Sequence, residues 1–486
     1  MFWLQSSLPL LALYLFYLAV ALSVCAQMVY HKHDPVKTIS WTVVLLFLPF
    51  AGLIIYFYFG QNYRKNKIYS RKGLRDERIK KVISAQQIAQ FEALKGLLPK
   101  EIAKQQRLIK LNLNNNKSIL TFHNQITLYT QGKEALEAML ESVRNARHHI
   151  HLQTYIIEND AVGTLWQQTL IQKAKQGVQV RLIYDDVGSW RLPKHFIQKL
   201  EAAGVEVAPF ASVRYPWFTS KINYRNHRKI LVVDGLIGYM GGVNIADRYY
   251  SGGDWILWRD AHVCIEGEAV ANLQSSFFLD WYFIQGKNIS GRLLFYPNLT
   301  VEYPVCYTQI ITSGPDSDYA NIMQSYFTAI TQAKKHIYVI TPYFTPNESI
   351  LNAIKIASLS GVDVRIMMPE KSDARIVYLS SRSYYTELME AKVKIHLFRK
   401  GFNHAKVVSI DGNFCIVGSA NLDNRSFEHN FEVSALIYNE AFTQQVESRF
   451  RSDIKDCTLL QIRTWEKRSI REKAAEALAR LFSPLL

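Results

Sequence analysis

The chain has 486 residues, enough for two or three domains, and its 57 Lys and Arg against 41 Asp and Glu give a formal net charge of +16. An excess of this size favours phosphate-bearing partners, either nucleic acid or an anionic membrane surface. The five cysteines are scattered and include no CxxC pair, so they support neither a disulfide framework nor a zinc site.

The N-terminal part of the sequence contains two long apolar runs. Residues 8–26 are nineteen uncharged residues, and residues 39–60 form a second such run, each long enough for a hydrocarbon core about 30 Å thick. A cleaved signal peptide is the alternative for the first run, but that run lacks a charged n-region and a second run soon follows. We therefore predict a two-helix transmembrane hairpin over residues 1–60.

Lys and Arg are distributed unevenly around the two predicted spans. The loop 31–38 between them carries Lys32 and Lys37, whereas residues 61–81 carry nine basic residues. The positive-inside rule then predicts that everything after the second span is cytoplasmic. The same basic stretch would attract anionic head groups, and it begins a juxtamembrane linker that we place at 61–117.

From about residue 118 onward, β-rich runs alternate with helical patterns, and the order occurs twice. Strand-like runs at 149–157, 178–186 and 204–210 are followed in the second half by runs at 336–344, 362–369 and 392–398. Strand–helix alternation predicts an α/β fold with mixed, mostly parallel sheets flanked by helices. We expect two lobes related by pseudo-twofold symmetry, one over 118–300 and one over 301–486.

One decamer also occurs twice, as NHRKILVVDG at 226–235 and NHAKVVSIDG at 403–412. His227 and Lys229 are two residues apart on a predicted strand, so their side chains share a face, and the same holds for His404 and Lys406. Asp234 and Asp411 complete the motif. Because each is followed by Gly between apolar runs, a hairpin-turn role stands beside direct chemistry for both aspartates.

Small residues and asparagines follow each copy of the motif. Gly242 and Ser419 leave room for a ligand near the backbone, and Asn244 and Asn421 can donate to it. Imidazole can act as a nucleophile or as a general acid and base, while lysine and asparagine donors suit the oxygens of a phosphate. Two copies would supply one histidine that attacks phosphorus and one that protonates the leaving alcohol, through a covalent phosphohistidine.

An attacking neutral imidazole needs an acceptor on its other nitrogen. Glu432 lies 28 residues after His404, and Asp260 lies 33 residues after His227. We predict that these carboxylates orient the histidines, each within its own half; a salt bridge elsewhere is the alternative. Metal binding is not expected, because protonated lysine is a poor ligand and no carboxylate joins a histidine at ligand spacing.

The two motifs resemble those of the phospholipase D superfamily, H-x-K-x4-D followed by glycine or serine and asparagine, and both copies fit completely. Within that superfamily the chain is similar to the bacterial cardiolipin synthases over nearly its whole length. The likeness includes the apolar segment 45–65, the segment DNRSFEHNFEV at 423–433 and the terminal SPLL at 483–486.

The resemblance implies transesterification without metal or cofactor, by a multi-pass protein of the bacterial inner membrane with a cytoplasmic catalytic body. His227 would attack phosphatidylglycerol, His404 would protonate the leaving glycerol, and a second phosphatidylglycerol would take the phosphatidyl group to give cardiolipin. The implied partners are these lipids and anionic membrane lipids in general, not nucleic acid. A membrane-bound phospholipase D that uses water, and a non-catalytic scaffold for anionic lipids, are the alternatives; the sequence leaves the oligomeric state open.

Two segments have no counterpart in the repeat. Residues 211–222 carry Tyr215, Trp217 and Phe218 and would form either an apolar rim toward lipid or ordinary packing. Residues 465–486 indicate a helix, which we expect to pack on the body and not on the membrane.

Overall fold

The computed structural model of the chain describes residues 2–31, 35–60, 75–93, 99–210, 224–253, 257–287, 289 and 293–486. The N-terminal helices form one compact unit, and the described chain from residue 75 to the C-terminus, which includes both predicted lobes, belongs to a second. The predicted apolar rim at 211–222 and most of the basic stretch 61–81 lie outside the described residues.

The N-terminal unit contains three helices, α1 (Phe2–Tyr30), α2 (Pro35–Phe47) and α3 (Ala51–Phe59). Within α1, Leu11–Tyr30 is a 20-residue apolar stretch long enough to cross a membrane. The second predicted span is divided into α2 and α3, because Pro49 cannot donate a helix hydrogen bond and Phe50 has a φ of 60°. Within the described ranges, α1 is therefore the one helix both long and apolar enough to span a membrane, and the second crossing stays a prediction.

Part of the predicted linker is built into the body. It contains two helices, α4 (Arg75–Ala93) and α5 (Lys100–Asn115). Leu108, Ile109 and Leu113 of α5 are fully buried in an apolar cluster that they share with residues of the second half. The apolar face of α5 thus anchors this stretch to the folded body.

The body consists of strands with helices packed on them. Its strands are β1 (Thr121–Gln131), β2 (His149–Thr154), β3 (Gln179–Asp185), β4 (Glu206–Phe210), β5 (Ile230–Val233), β6 (Ile237–Gly241), β7 (Trp258–Gly267), β8 (Val305–Ser313), β9 (His336–Ile340), β10 (Phe344–Thr345), β11 (Asp363–Pro369), β12 (Lys394–Phe398), β13 (Phe402–Asn403), β14 (Val407–Ile410), β15 (Phe414–Gly418), β16 (Leu422–Asp423), β17 (Glu432–Tyr438) and β18 (Cys457–Leu459). Its helices are α6 (Gly132–Asn145), α7 (Ala161–Lys175), α8 (Lys194–Ala202), α9 (Asp247–Ser251), α10 (Val270–Gln285), α11 (Asn321–Gln332), α12 (Glu348–Leu359), α13 (Arg375–Arg382), α14 (Tyr385–Glu390), α15 (Asn424–Glu428), α16 (Glu440–Ile454), α17 (Ile462–Trp465) and α18 (Ile470–Arg480).

The two halves have the same strand order. The first runs β1-β7-β6-β5-β2-β3-β4 and the second β8-β17-β15-β14-β9-β11-β12, and the antiparallel pair β1–β8 joins them into one sheet. The predicted two-lobed α/β fold with pseudo-twofold symmetry is thereby confirmed. Within this order each half contains two parallel pairs. They are β2–β3 and β3–β4 in the first half, and β9–β11 and β11–β12 in the second. The sheet is less parallel than predicted, because the Asp-Gly hairpins β5–β6 and β14–β15 add antiparallel neighbours.

One apolar cluster is shared by both halves and explains why they form one unit. It contains Ile230 and Val232 of β5 together with Val407, Val417 and Ala435 of the second half, all buried. Burial of this shared surface stabilises the pairing of the lobes and fixes the two copies of the motif relative to each other.

Candidate active site

The two copies of the motif are held by backbone hydrogen bonds that cross between the halves. The N–H of His227 donates to the carbonyl oxygen of Phe431 at 2.9 Å, and the N–H of His404 donates to that of Arg259 at 2.7 Å. Phe431 immediately precedes Glu432, and Arg259 immediately precedes Asp260. Each histidine therefore enters the site beside the carboxylate of the other half.

The side chains follow the same crossed arrangement. Nδ1 of His227 lies 3.2 Å from Oε1 of Glu432, and Nδ1 of His404 lies 2.8 Å from Oδ2 of Asp260. This differs from the expectation that each carboxylate orients the histidine of its own half, because each motif strand pairs with the far lobe just ahead of the carboxylate. A carboxylate at Nδ1 favours the tautomer in which Nε2 carries the lone pair.

Burial sets the charge of these pairs. It lowers the pKa of His227 to about 4, against the opposing pull of Glu432, and it also lowers the pKa of His404. Burial alone would raise the pKa of Asp260. The electrostatic attraction of His404 and its hydrogen bond outweigh that effect and bring the pKa of Asp260 below the ordinary value. His227 lowers the pKa of Glu432 in the same way. With the charges of the protein alone, neutral imidazoles therefore face ionised carboxylates at neutral pH.

Two buried lysines lie beside the histidines. Nζ of Lys229 donates to the carbonyl oxygen of His227 at 2.6 Å, and Nζ of Lys406 donates to that of His404. Burial lowers the pKa of Lys229 to about 8 and that of Lys406 to about 7, and Lys229 itself contributes to the shift of Lys406. The two copies thus form one electrostatic cluster, and a bound phosphate would favour the charged form of both lysines. In the described part of the chain, no three His, Cys, Asp or Glu side chains converge so as to hold a metal ion.

The motif aspartates lie in the hairpin turns. Asp234 accepts hydrogen bonds from the N–H groups of Arg147, His148 and His149 at 2.7–2.9 Å, and Asp411 accepts three from residues 334–336 at the same distances. Both have positive φ, 54° and 55°. Each aspartate lies seven positions after its histidine, a span on the order of 20 Å along an extended chain. This geometry favours the turn role over direct chemistry.

The small residues after each motif contact the carboxylates. A Cβ at Gly242 would lie 2.0 Å from Oδ1 of Asp260, so the carboxylate occupies that space. Ser419, at the matching position, donates from its Oγ to Oε2 of Glu432 at 2.5 Å. The residue at this position therefore differs with the carboxylate that it contacts: glycine leaves space for Asp260, and serine donates a hydrogen bond to Glu432.

The two predicted asparagine donors are already engaged with the protein. Nδ2 of Asn244 donates to the hydroxyl of Tyr249 at 2.6 Å, and its Oδ1 accepts from the N–H of Ile156. Nδ2 of Asn421 donates to Asp423 at 2.9 Å. Each amide keeps a second N–H, so both can still donate to a phosphate.

Sequence patterns missed several side chains around the histidines. Nδ2 of Asn430 lies 3.1 Å from Nδ1 of His227 and 3.2 Å from Glu432, and the ring of Tyr155 lies 4.1 Å from that of His227. On the other side, Trp258 occupies the position that matches Asn430 and lies 5.5 Å from the ring of His404. The sequence did carry a signal for two of them. Asn430 and Trp258 each stand two residues before an orienting carboxylate, and residues two apart on a strand share a face.

A buried ion pair supports each side of the site, with arginines from non-equivalent positions. Arg228, inside the first motif, pairs with Asp280 at 2.5 Å. The second motif has Ala405 instead, and Arg259 pairs with Asp453 at 3.1 Å. Arg228 also donates to the carbonyl of Glu432, so it joins the two lobes. The second motif has no arginine at the position of Arg228, and an ion pair formed by Arg259, outside the motif, takes its place on that side of the site.

Comparison with known proteins identifies the same repeat. The family model described as "Cardiolipin synthase, PLD-like domain" matches residues 139–281 and 326–454, and the model described as "Phospholipase_D-nuclease N-terminal" matches residues 13–61. The cardiolipin synthase of Geobacillus sp. (strain WCH70) is 41% identical over 457 residues, covering 94% of this chain and 90% of its own length. Cardiolipin synthase 2 of Bacillus anthracis is 38% identical over 463 residues, covering 95% and 89%.

A solved structure shares the fold of the body. The phosphatidylserine synthase of Haemophilus influenzae Rd KW20 superposes with a TM-score of 0.60 at 17% identity, over 79% of this chain and 100% of that one. At this level of identity the likeness concerns the architecture of the two halves alone.

Proposed function

The chain belongs to the family of cardiolipin synthases with phospholipase D-like domains, and from this premise we propose that it transfers a phosphatidyl group between two phosphatidylglycerol molecules, giving cardiolipin and glycerol. It is an enzyme, a phosphatidyltransferase of the phospholipase D type. The observation that carries the mechanism is the pair of buried histidines, each held at Nδ1 by a carboxylate of the other half.

In the first step, Nε2 of His227 attacks the phosphorus of one phosphatidylglycerol. A P–N bond forms, the P–O bond to the head-group glycerol breaks, and His404, in the protonated form that the bound anionic phosphate favours, gives its proton to the leaving oxygen. In the second step, His404 takes the proton from a hydroxyl of another phosphatidylglycerol while that oxygen attacks phosphorus. The P–N bond breaks, cardiolipin leaves, and both histidines return to their starting state.

The assignment of roles is supported by the unequal surroundings of the two imidazoles. His227 is the one whose pKa falls to about 4, so it is neutral and ready to attack throughout the neutral range. His404 lies closer to its carboxylate, at 2.8 Å against 3.2 Å, which stabilises the imidazolium form that an acid needs. These differences favour His227 as the nucleophile and His404 as the acid and base.

The lysines supply charge for the phosphate in this proposal. Lys229 and Lys406 are kept on the histidine face by strand alternation and are buried, so their attraction for an anionic phosphodiester is little screened. As negative charge builds on the equatorial oxygens during transfer, this attraction grows, which lowers the barrier.

We place the enzyme in the bacterial inner membrane with its catalytic body on the cytoplasmic side. The apolar stretch Leu11–Tyr30 and the match of residues 13–61 to an N-terminal family model support membrane association. The two-span topology and the orientation rest on the second apolar run and on the nine basic residues at 61–81. A reporter fused after Leu486 should be found in the cytoplasm.

The proposed activity is tested with purified full-length protein and phosphatidylglycerol labelled in its glycerol head group and in its acyl chains. Cardiolipin and free glycerol in equal amounts are the expected products. Phosphatidic acid with glycerol would instead identify a hydrolase, and absence of turnover in the wild type, with His404→Gln as the inactive reference, would identify a non-catalytic lipid-binding protein.

A further inference from the structure

The C-terminal helix α18 is attached to the body through its polar side. Its buried residues are Glu476 and Ala479, and Glu476 accepts from Arg382 at 2.8 Å and from Arg468. Arg480 donates to Glu387 at 2.6 Å. The helix begins at a capping box formed by Ser469 and Glu472, so its start is well defined.

The opposite side of this helix is apolar and faces outward. Ile470, Leu478, Leu481 and Phe482, here called the outer face, have 85%, 63%, 74% and 53% of their surface exposed. At 100° per residue Ile470 and Leu478 lie about 80° apart around the helix axis, and Leu481 and Phe482 stand in the turn that follows its last residue, Arg480. An amphipathic helix on a soluble body normally buries such residues. The helix packs on the body, as expected for residues 465–486, but through its polar side.

Charged side chains of both signs surround the outer face. Arg463, Lys467, Arg471 and Lys473 are exposed, and so are Glu466 and Glu472. A helix with an exposed apolar stripe and with Lys and Arg among its polar residues suits the interface of a bilayer. The apolar stretch Leu11–Tyr30 supports membrane association of the same chain, so a bilayer is the surface that we expect to cover the outer face.

The segment that follows the outer face lies beside the active site. Its residues fold back on helix α15, which directly follows Asn421 and Asp423: Nδ2 of Asn424 donates to the carbonyl of Pro484 at 2.9 Å, and the N–H of Arg425 donates to that of Leu486 at 3.0 Å. A bilayer that touches the outer face would therefore approach the rim of the second half of the site.

We propose that the outer face is a membrane-docking surface that inserts into the head-group region of an anionic bilayer and brings lipid phosphates to the active site. Membrane contact at this surface does not depend on turnover. The delivery of substrate rests on the proposed function, so binding and catalysis are measured separately.

The binding test uses full-length protein reconstituted in vesicles of phosphatidylglycerol and phosphatidylcholine. An environment-sensitive fluorophore is attached through Leu478→Cys, with Ile356→Cys as the matched control, since Ile356 is an aliphatic residue of α12 with the same 63% exposure. Wild-type protein treated identically gives the background of the native thiols. We expect lipids with a quencher in the acyl chain to quench the label at 478 at least several-fold more than the label at 356. Equal quenching at both positions, or energy transfer between labels at 478 that shows contact of two copies, would overturn the proposal.

The catalytic test compares Leu478→Glu/Leu481→Glu with Ile356→Glu. The double variant should lose roughly tenfold of its activity on phosphatidylglycerol vesicles, as removal of two apolar contacts with the bilayer predicts. Its activity on short-chain phosphatidylglycerol dissolved as monomers should equal that of the control. Loss of both activities would mean that these residues support the fold and would contradict a docking role. If no variant is active but the label at 478 is still quenched, the proposed function fails and the docking surface stands.

Discussion

The imidazole of His227 and the carboxylate of Glu432 lie 3.2 Å apart although they belong to different halves of the chain. His404 and Asp260 form the reciprocal pair at 2.8 Å. Neither half therefore contains a complete histidine–carboxylate pair, and the duplicated motif needs both lobes in contact before either histidine is oriented.

The crossed pairing predicts which carboxylate serves which step. A phosphatidylglycerol analogue with a nitrophenol head group needs no acid in the first step, because nitrophenolate leaves unaided. Glu432→Gln should then slow nitrophenol release by about 10²–10⁴-fold, the size expected when the partner of an imidazole loses its charge. Asp260→Asn should still release a rapid burst of nitrophenol, and its defect should appear in transfer to the acceptor. The reverse pattern in stopped-flow absorbance would show that each carboxylate serves its own half.

Removal of the acid and base should expose the covalent intermediate. His404→Gln keeps His227 and Glu432, so it should attack the nitrophenol analogue but fail to activate the acceptor hydroxyl. Labelled phosphatidyl group should remain on the denatured protein, and digestion should place it on His227. His227→Gln is the matched control and should carry no label. Retention of label in that variant would assign the nucleophile to the other histidine.

The motif aspartate is expected to act on stability and not on chemistry. Asp234→Asn keeps a residue that tolerates positive φ but weakens three charge-assisted hydrogen bonds to residues 147–149. The free energy of unfolding should fall by about 1–3 kcal/mol. Thermal unfolding in detergent should show a lower midpoint, with kcat per folded molecule within about threefold of wild type. A large loss of kcat at unchanged stability would restore the aspartate to the catalytic set.

The sequence predicted the repeat, the two-lobed α/β body and the motif residues, because period-2 alternation puts His227 and Lys229 on one face wherever their strand lies. It did not predict that the partner carboxylates would be exchanged. Spacing along the chain measures distance within a half, whereas the partner of His227 is set by its N–H bond to Phe431 in the other half.

Local residues also changed two helical expectations. Pro49 and Phe50 divide the second apolar run, which hydropathy alone treats as continuous. Glu476 turns the polar side of α18 toward the body, because its arginine partners lie there. The number of apolar residues in 465–486 cannot predict which side of the helix faces the body.

The lysines predict opposite effects of pH on activity and on stability. With pKa values of about 8 for Lys229 and about 7 for Lys406, both lose charge as the pH rises from 6 to 9, so kcat/KM should fall above about pH 7. In kcat the decline should begin at higher pH, because a bound phosphodiester favours the charged lysines. The folded pKa of each lysine lies below its ordinary value of 10.5, so the unfolded chain binds more protons between these values and this contribution to stability rises with pH. Identical, flat profiles of kcat and kcat/KM up to pH 9 would contradict the assignment of these lysines to phosphate binding.

The last prediction concerns the one motif position at which the two copies carry different small residues. Gly242→Ala would place a Cβ 2.0 Å from Oδ1 of Asp260, so the carboxylate must move and lose its alignment with His404. Ser419→Ala, the matched control, removes the hydroxyl that donates to Glu432 but leaves the backbone space unchanged. We expect Gly242→Ala to lower kcat by about 10²-fold or more, since misplacing a catalytic group by 1 Å has costs of that size. The loss for Ser419→Ala should be about tenfold, as for one hydrogen bond to a charged group.

Identifying the reaction step that fails distinguishes a misplaced Asp260 from a general loss of packing in Gly242→Ala. Gly242→Ala should keep the nitrophenol burst, because His227 and Glu432 are untouched, and lose transfer to phosphatidylglycerol, which needs His404. Thermal unfolding of both variants controls for stability. If Gly242→Ala abolished the burst while the protein stayed folded, the first step would depend on Asp260, and Asp260 would not be the partner that positions His404 alone.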